Sequence, residues 1–350
     1  MGAKAFNKKQ FFWALSLAVS VIGTVFSIAT IFIDRDYRKP LPPYPIGNRP
    51  ALVNVLKEKG FPFSFLVISD THNDENAYAL FGKILQQTDA SFLIHVGDAV
   101  NAPSIWRHRY FIKRMTEGIR PPFPVFLAPG NHDIYYGFQR VPEGERVTPE
   151  VYQSLYGAMS FDFTFNNCLF ILCGVDLNKP DAFLGGLRDV LAKNAPGKKY
   201  VFLFFHYPPT GMMSGFDFPR EREFFSLLES YKVTSCFFGH YHGYRRKQVN
   251  GTNLIVLGGG GGALKSWQSE WGKFHHALKV TVGENSLAED IMVLKNEPLF
   301  HHSFEWRIVA DILPLVQNRL WVVYGFTLAC LFLGFFSFLA IKSGVRLRKE

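Results

Sequence analysis

Five short segments of the sequence combine an apolar run with polar side chains that can bind a metal ion or transfer a proton. They are LVISDTH (66–72), LIHVGDAVN (93–101), VFLAPGNHD (125–133), FLFFHYPP (202–209) and CFFGHYHG (236–243). The last places His240 and His242 one residue apart. An H-x-H pattern alone does not distinguish metal ligands from catalytic acids or ordinary loop histidines, so the other four segments must decide.

Together these segments supply a mixed set of nitrogen and oxygen donors: Asp70, His72, Asp98, Asn131, His206, His240 and His242. Such a set suits Mn, Fe or Zn better than it suits a metal that prefers thiolates. Seven donors exceed what one ion needs, whereas two ions that share a bridging carboxylate use them all. Two ions about 3.5–4 Å apart can hold the attacking and leaving oxygens of a phosphoryl displacement.

The elements that must position these side chains alternate along the chain. Apolar runs of strand length lie at 63–69, 91–96, 123–128, 168–175, 200–205, 233–238 and 253–257, and segments with helical spacing lie at 74–88 and 103–117. This alternation predicts a layered α/β fold whose strand ends carry the site. Asn250-Gly251 predicts a hairpin turn before the last strand and also begins an N-G-T sequon.

The order D-x-H, G-D, G-N-H-D, H and G-H-x-H resembles the calcineurin-like metallophosphoesterase superfamily, over residues 63 to about 262. The resemblance implies a four-layer α-β-β-α sandwich and hydrolysis of a phosphomonoester or phosphodiester by a metal-bridging hydroxide. Asn101 stands where purple acid phosphatases carry a tyrosine, so an iron–tyrosinate centre is not expected.

The resemblance also implies two divalent metal ions, with Mn as the first choice and Fe or Zn as alternatives. It assigns the ligands in two sets that share one carboxylate: Asp70, His72 and His242 for the first ion, Asn131, His206 and His240 for the second, and Asp98 between them. His132 would face the phosphate as general acid or charge stabiliser, and Asp133 would orient the His132 ring.

Two runs without a charged residue, 11–33 and 320–341, are each long enough to span a bilayer. At 1.5 Å per residue each reaches roughly 30–35 Å. A cleaved signal peptide has a shorter apolar stretch, so we expect an uncleaved helix at each end. The chain is then divided into a flank (1–10), a transmembrane helix (11–33), an extended linker (34–50), a catalytic domain (51–298), an amphipathic connector (299–319), a second transmembrane helix (320–341) and a basic tail (342–350).

Lysine and arginine residues at both ends of the chain predict cytoplasmic termini and a catalytic domain outside the cytoplasm. Small residues recur on one face of each apolar run: Ser16, Ser20, Thr24 and Ser27 in the first, and Thr327, Cys330, Gly334 and Ser337 in the second. Such faces let membrane helices approach closely. We therefore expect the two helices to pack on each other, the alternative being a homodimer through the same faces.

The net charge of +9 suits nucleic acid, an anionic lipid or a phosphate-bearing substrate. Anchoring at a bilayer argues against genomic DNA, so no nucleic-acid partner is expected and the leading substrate is a phosphoester on a lipid or a lipid-linked group. The alternatives are soluble nucleotides or small phosphoesters, and a non-catalytic metal-binding scaffold. Two segments contain candidate substrate contacts: a basic one with Arg107 and Arg109, and an apolar one with Met212, Met213, Phe216 and Phe218. The alternative for the apolar segment is a loop packed on its own domain.

Overall fold

The computed structural model describes residues 8–41, 44–58, 60–86, 89–137, 139–212, 218–264, 272–294 and 302–346. The chain divides into two compact units. Leu41–Ser303 forms one of them, here called the α/β unit. Met1–Pro40 and Phe304–Glu350 form the other, here called the helical unit.

The described residues form the following elements in chain order. The α-helices are α1 (Lys8–Tyr37), α2 (Pro50–Asn54), α3 (Glu75–Leu85), α4 (Ile105–Lys113), α5 (Pro149–Tyr156), α6 (Pro180–Asn194), α7 (Glu221–Ser230), α8 (Phe304–Arg307), α9 (Leu313–Val316) and α10 (Leu320–Arg346). The strands are β1 (Phe63–Ile68), β2 (Ala90–His95), β3 (Val125–Leu127), β4 (Phe161–Phe165), β5 (Cys168–Leu172), β6 (Tyr200–Phe204), β7 (Ser235–Phe238), β8 (Tyr244–Val249), β9 (Thr252–Leu257), β10 (His275–Val282) and β11 (Leu287–Leu294). Wider turns of π-helix extend α4 over Arg114–Ile119 and join α8 to α9 over Ile308–Ile312.

Two sheets face each other across a core of phenylalanine rings. One has the order β11-β10-β1-β2-β3 and the other the order β4-β5-β6-β7-β9-β8. Phe65 of β1 lies 5.2 Å from Phe170 of β5 and 5.3 Å from Phe202 of β6, measured between ring centroids. Such edge-to-face pairs add to the stabilisation from burying the rings.

Helices cover the outer face of each sheet. On the second sheet, α6 and α7 bury Leu187 and Phe224 together with Leu203 of β6 in one apolar cluster. On the first sheet, α3 packs against β10 and β11. The layers therefore run helix, sheet, sheet, helix, and the α-β-β-α sandwich that the resemblance implied is present.

The parallel strands bring their carboxyl ends to one edge of each sheet. β1, β2 and β3 pair in parallel in the first sheet, and β5, β6 and β7 do so in the second. The predicted hairpin is also present, because β8 pairs with β9 in antiparallel fashion. Its two turn residues, Asn250 and Gly251, have φ values of 48° and 85°, as a type I′ turn requires.

The segment predicted as an extended linker, 34–50, differs in the structure at both ends. α1 continues to Tyr37. Further on, the chain already packs within the α/β unit, because Gly47 N donates to Val125 O and Asn48 Nδ2 donates to Leu127 O. The proline-rich composition did not indicate that this segment packs on the α/β unit. The hydrogen bonds of the segment are made with β3, which is distant in the sequence, so they leave no local pattern.

The helical unit contains two helices, α1 and α10, that are long and apolar enough to cross a membrane by length and composition. Their small faces meet. A Cβ added at Gly334 would lie 2.9 Å from Ser20 Oγ, and one at Gly23 would lie 2.6 Å from Cys330 Sγ. The predicted contact between the small faces is therefore present, and those faces are occupied within one chain.

The connector before α10 is fixed to the end of α1 by polar contacts. Tyr37 Oη donates a hydrogen bond of 2.8 Å to Glu305 Oε1, and Arg38 forms an ion pair of 2.8 Å with Asp34. Arg38 also donates to the backbone oxygen of Gln317. Within the connector, Trp306 is buried and Phe304 is exposed, and the amphipathic character of residues 299–319 stays a prediction. Residues 299–301 lie outside the described residues.

Candidate metal centre

The carboxylate of Asp98 lies among three imidazole rings. Its Oδ2 atom is 3.2 Å from His206 Nε2, 3.6 Å from His72 Nε2 and 3.9 Å from His132 Nε2. Asp98 follows β2, His72 follows β1 and His206 follows β6, so both sheets contribute. A carboxylate in this position can contact two ions at once, as the bridging assignment requires.

Each predicted ligand set is gathered at the same edge. Asp70 Oδ1 lies 3.4 Å from His242 Nε2 and 4.0 Å from His72 Nε2. In the other set, Asn131 Oδ1 lies 2.9 Å from His240 Nδ1. Donor atoms about 3–4 Å apart can share one ion at a bond length of about 2.1 Å.

The histidine tautomers fit metal binding. Nδ1 of His206 donates to Val96 O at 2.9 Å, and Nδ1 of His242 donates to Ala263 O at 2.7 Å. The Nε2 atom of each ring therefore keeps its lone pair, as in metal-bound histidines held by a backbone carbonyl. Nε2 of His72 and of His206 are buried and have no hydrogen-bond partner among the described residues. Two divalent cations would satisfy these orphaned atoms, so the donor set fits a dinuclear site.

The buried carboxylates of the cluster also favour the binding of cations. Burial raises the pKa of Asp70 to about 6. Burial opposes ionisation of Asp98 too, but the charge of the neighbouring His206 holds the pKa of Asp98 well below the usual range. In turn Asp98 and Asp70 raise the pKa of His206 to about 9 against the effect of burial. Buried carboxylates of this kind need a positive partner.

The backbone at the ligands is strained. Asp70, His72, Asp98 and His240 all have left-handed φ values, from 50° to 67°. Residues other than glycine rarely adopt this backbone conformation, and those that do are concentrated at functional sites. Each of these ligands follows a strand closely, so the chain must turn at once to aim the side chain into the cluster.

Glycines in the motifs allow the close approach of these turns. A Cβ at Gly130 would lie 2.2 Å from Asp98 Oδ1, and a Cβ at Gly239 would lie 2.0 Å from Ser69 Oγ. Neither distance is tolerated between non-bonded atoms. The glycines of G-N-H-D and G-H-x-H are therefore needed for packing around the two aspartates.

The role assigned to Asp133 is corrected by the structure. The sequence interpretation had Asp133 orient the ring of His132, but Nδ1 of His132 donates to the backbone oxygen of Asn101 at 2.8 Å. The Asp133 carboxylate instead accepts backbone N–H groups from four residues: Asp98, Ala99, Val100 and Gly130. Asp133 therefore fixes the loop that presents Asp98. Charged acceptors are favoured for several backbone donors at once, and a ring nitrogen offers only one.

For the described residues of the loop after His206, the structure shows the alternative to substrate contact, a loop packed on its own domain. Met212 and Phe218 are buried in the apolar cluster beside α7, and Phe218 lies 5.3 Å from Phe224 between ring centroids. Because both side chains are buried in the outer layer of the sandwich, they cannot contact a substrate. Met213 and Phe216 lie outside the described residues.

The two arginines proposed as substrate contacts lie on α4. The charge of Arg107 reaches the buried carboxyl of Glu145. Arg109 lies near Tyr44, and burial lowers the pKa of the Arg109 guanidinium. Their role in substrate binding stays a prediction.

Several groups that support the site gave no signal in the sequence. Ser69 Oγ donates to Asp70 Oδ2 at 2.6 Å, while Asn101 and Ala263 act through their backbone oxygens. A backbone carbonyl is present at every position, so no residue pattern marks it. Tyr207 follows the ligand His206 directly, and its ring lies 5.0 Å from that of His240.

Comparison with known proteins gives the family. The sequence profile described as calcineurin-like phosphoesterase matches residues 63–244, more than half of the chain. No match is found among curated proteins. A purple acid phosphatase from seeds of yellow lupin (Lupinus luteus) is 17% identical over 69% of this chain, with a TM-score of 0.56. The match covers 53% of the lupin protein, so the chain spans about half the length of that relative.

Two further solved structures are similar at lower scores. A dimetal phosphatase from Danio rerio is 15% identical, and the match covers 65% of this chain and 95% of that one, with a TM-score of 0.49. GAP50, the anchor in the inner membrane complex of Plasmodium, is 14% identical over 69% of this chain and 88% of its own, also at 0.49. At these identities the lupin structure supports the fold alone. The profile match carries the assignment: the chain belongs to the calcineurin-like phosphoesterase family.

Proposed function

We propose that this protein is a membrane-anchored hydrolase with a dinuclear metal centre that acts on a lipid or lipid-linked phosphoester. The observation that carries the hydrolytic part is the gathering of both predicted ligand sets around Asp98 at one sheet edge. The lipid part rests on α1 and α10, whose exposed apolar side chains include Phe12 and Trp321. Large exposed apolar surfaces mark contact with a membrane or a partner.

The chemistry divides between the cations and the chain. When bound, two divalent cations polarise the phosphoryl oxygens and make water a nucleophile at neutral pH. In this proposal Asp70, His72 and His242 hold one ion, Asn131, His206 and His240 hold the other, and Asp98 contacts both. We propose Mn²⁺ as the physiological ion, because mixed imidazole and oxygen donors suit it, with Fe or Zn as alternatives.

His132 is the group of this chain best placed to act on the substrate. Its side chain is 38% exposed, whereas those of Asp70 and His206 are fully buried. The hydrogen bond from Nδ1 to Asn101 O fixes the ring so that Nε2 faces the opening beside Asp98. From there a protonated Nε2 donates to the leaving oxygen, or to a phosphoryl oxygen whose charge increases. A positioned acid of this kind typically contributes 10²–10⁴ to the rate.

The proposed topology has both termini in the cytoplasm and the α/β unit on the other side. Lys8, Lys9 and Lys342 flank the apolar helices at the ends nearest the termini. Positive residues favour the cytoplasmic side. The pairing of α1 with α10 uses the small faces that a homodimer would otherwise need, so we propose one chain as the membrane-embedded unit.

The test uses the full chain in detergent, loaded with Mn²⁺. The substrates are an aryl phosphomonoester, an aryl phosphodiester and a panel of phospholipids and lipid-linked phosphates. We expect turnover of an aryl ester and faster turnover of one lipid class. Turnover of aryl esters and nucleotides without any lipid cleavage would leave a phosphatase or phosphodiesterase for soluble substrates. No turnover at all with two bound metal ions would leave a metal-binding scaffold.

A further inference from the structure

A cavity of about 520 Å³ lies in the α/β unit and is not part of the metal cluster. Its walls are largely apolar, and they come from the β4–β5 hairpin, the face of α6 and the segment after Asp133. The residues that give it this character are Tyr136, Met159, Phe161, Ile171, Phe183 and Val190. Its volume falls in the range of sites for small organic groups.

The cavity reaches the sheet edge that carries the candidate metal ligands, because Leu172 at the end of β5 and Cys173 after it are among its lining residues. β5, β6 and β7 are parallel neighbours, so their carboxyl ends lie side by side at about 4.8 Å spacing. His206 follows β6 and His240 follows β7. Cys173 and Asp176, which line the cavity, follow β5. The cavity therefore starts one strand away from the ligand His206.

Two connections join the cavity wall to the metal centre. Gln139 accepts a hydrogen bond from Tyr136 N and donates one to the backbone oxygen of the ligand Asn131. Tyr207 interacts with both regions: its ring packs against His240 at 5.0 Å, and burial together with nearby groups that include Tyr136 and Asp176 of the cavity wall raises the pKa of its hydroxyl. A molecule that bridges these regions would thus place a phosphate at the ligands and its organic group along Tyr207.

The charged residues of the cavity are engaged at its rim. Asp176 accepts a hydrogen bond of 3.0 Å from Asn178 N and lies 3.7 Å from Lys179 Nζ. Asp162 accepts one of 2.8 Å from Asn194 Nδ2. Glu150 accepts one of 2.7 Å from Thr148 Oγ1, and the rest of the wall is largely apolar, so an apolar occupant gains most by entering.

We propose that this cavity binds the apolar part of the alcohol that is esterified to the substrate phosphate. The proposal rests on the function proposed above and names where its substrate class is recognised. In hydrolysis, water adds to phosphorus and the bond between phosphorus and the ester oxygen breaks. The ester oxygen takes up a proton, and the alcohol that forms still has its chain bound in the cavity before it dissociates.

The test is a series of n-alkyl phosphate monoesters and methyl n-alkyl phosphate diesters from two to eight carbons, below their micelle concentrations. For the unmodified protein, kcat/KM should rise with chain length, up to about fourfold for each methylene that becomes buried. Binding of the matching n-alkyl phosphonates, measured by calorimetry, should follow the same trend without turnover.

Neighbouring glycines of α6 provide a matched pair of variants. A Cβ at Gly185 or at Gly186 would meet no atom within 4 Å, but only Gly186 is among the residues lining the cavity. Gly186→Leu should lower the octyl-to-ethyl ratio of kcat/KM at least tenfold, and Gly185→Leu should keep the ratio of the unmodified protein. Thermal unfolding of both variants checks that they fold.

The outcomes separate the two proposals. Hydrolysis or phosphonate binding that does not depend on chain length would overturn the cavity assignment and leave the phosphoesterase intact, as would equal losses in the two leucine variants. Absence of hydrolysis for every ester, with two metal ions bound, would overturn the proposed function. In that case the phosphonate series still decides whether the cavity takes alkyl chains.

Discussion

Replacing Asp133 with asparagine should empty the metal centre rather than disable a catalytic acid. Asp133 Oδ2 accepts the N–H groups of Asp98 and Gly130 at 2.8 Å each, and Oδ1 accepts those of Ala99 and Val100 at 2.9 and 3.3 Å. Asparagine keeps one acceptor oxygen. Two buried N–H groups lose their acceptor whichever way the amide is turned.

The cost follows from the count of lost bonds. A buried donor without an acceptor costs about 1–3 kcal/mol, so Asp133→Asn should lose about 2–6 kcal/mol. Domains of this kind are stable by about 5–15 kcal/mol, so the variant should fold but melt earlier. The loss is concentrated in the loop that aims Asp98, whose carboxylate both ions require. Metal affinity should therefore fall together with stability.

The assay compares metal content, thermal unfolding in detergent and kcat for an aryl phosphoester. His132→Ala is the contrasting variant, which should keep both ions and lose roughly 10²–10⁴ in rate. Glu145→Gln is the control for removing a buried carboxylate elsewhere, because Glu145 accepts a hydrogen bond from Ser104 Oγ, which precedes α4. If Asp133→Asn binds two ions, melts like the unmodified protein and loses rate as His132→Ala does, then the carboxylate acts through His132 and the reasoning here is wrong.

Three further results are expected. Gly239→Ala should reduce metal content, measured by mass spectrometry, because its Cβ would lie 2.5 Å from Asp70 Oδ2; normal metal content would contradict this. Translation with microsomes should attach one glycan, at the exposed hairpin residue Asn250, if the α/β unit is lumenal; Asn250→Gln should abolish the gel shift, and Thr252→Ser should keep it. Burial lowers the pKa of His276 to about 4 from 6.5, so the unfolded chain binds the extra proton below pH 6.5. Protonation of His276 in the unfolded chain should lower the free energy of unfolding by about 2 kcal/mol between pH 7 and pH 5. His276→Phe should lose this pH-dependent decrease when both proteins are compared by thermal unfolding in a chelator. A variant whose stability keeps the same pH slope would refute the prediction.

The sequence predicted which side chains meet at the sheet edge, because each candidate ligand is a polar side chain with few other uses at a strand end. Among the described residues it predicted seven of the eleven strands, because each of these is a nearly continuous apolar run such as β1 or β6, and it gave no such run for β4, β8, β10 and β11. β10 and β11 were missed, because His275, Lys279 and Asp290 interrupt their apolar pattern. Pairing with β1 places β10 in the first sheet, and that long-range contact has no local signature.

The errors at the site have one physical origin. The resemblance implied that Asp133 orients the ring of His132, its neighbour in the sequence. After β3, however, the chain turns so that the carboxylate meets the backbone of the next loop and the ring meets Asn101 O. Met212 and Phe218 were judged by the glycines and prolines around them, whereas the apolar layer beside α7 decided their burial. Local composition describes a loop but does not determine what the loop packs against.

The left-handed ligands suggest how the centre keeps its geometry. A left-handed residue other than glycine costs roughly 1–3 kcal/mol, so the four at Asp70, His72, Asp98 and His240 cost together several kcal/mol. Hydrogen bonds made by the same loops oppose this cost, since His240 N donates to Asp70 and His132 N donates to Asp98 Oδ1 at 2.8 Å. Metal affinity should therefore depend on these loop contacts as well as on the ligands.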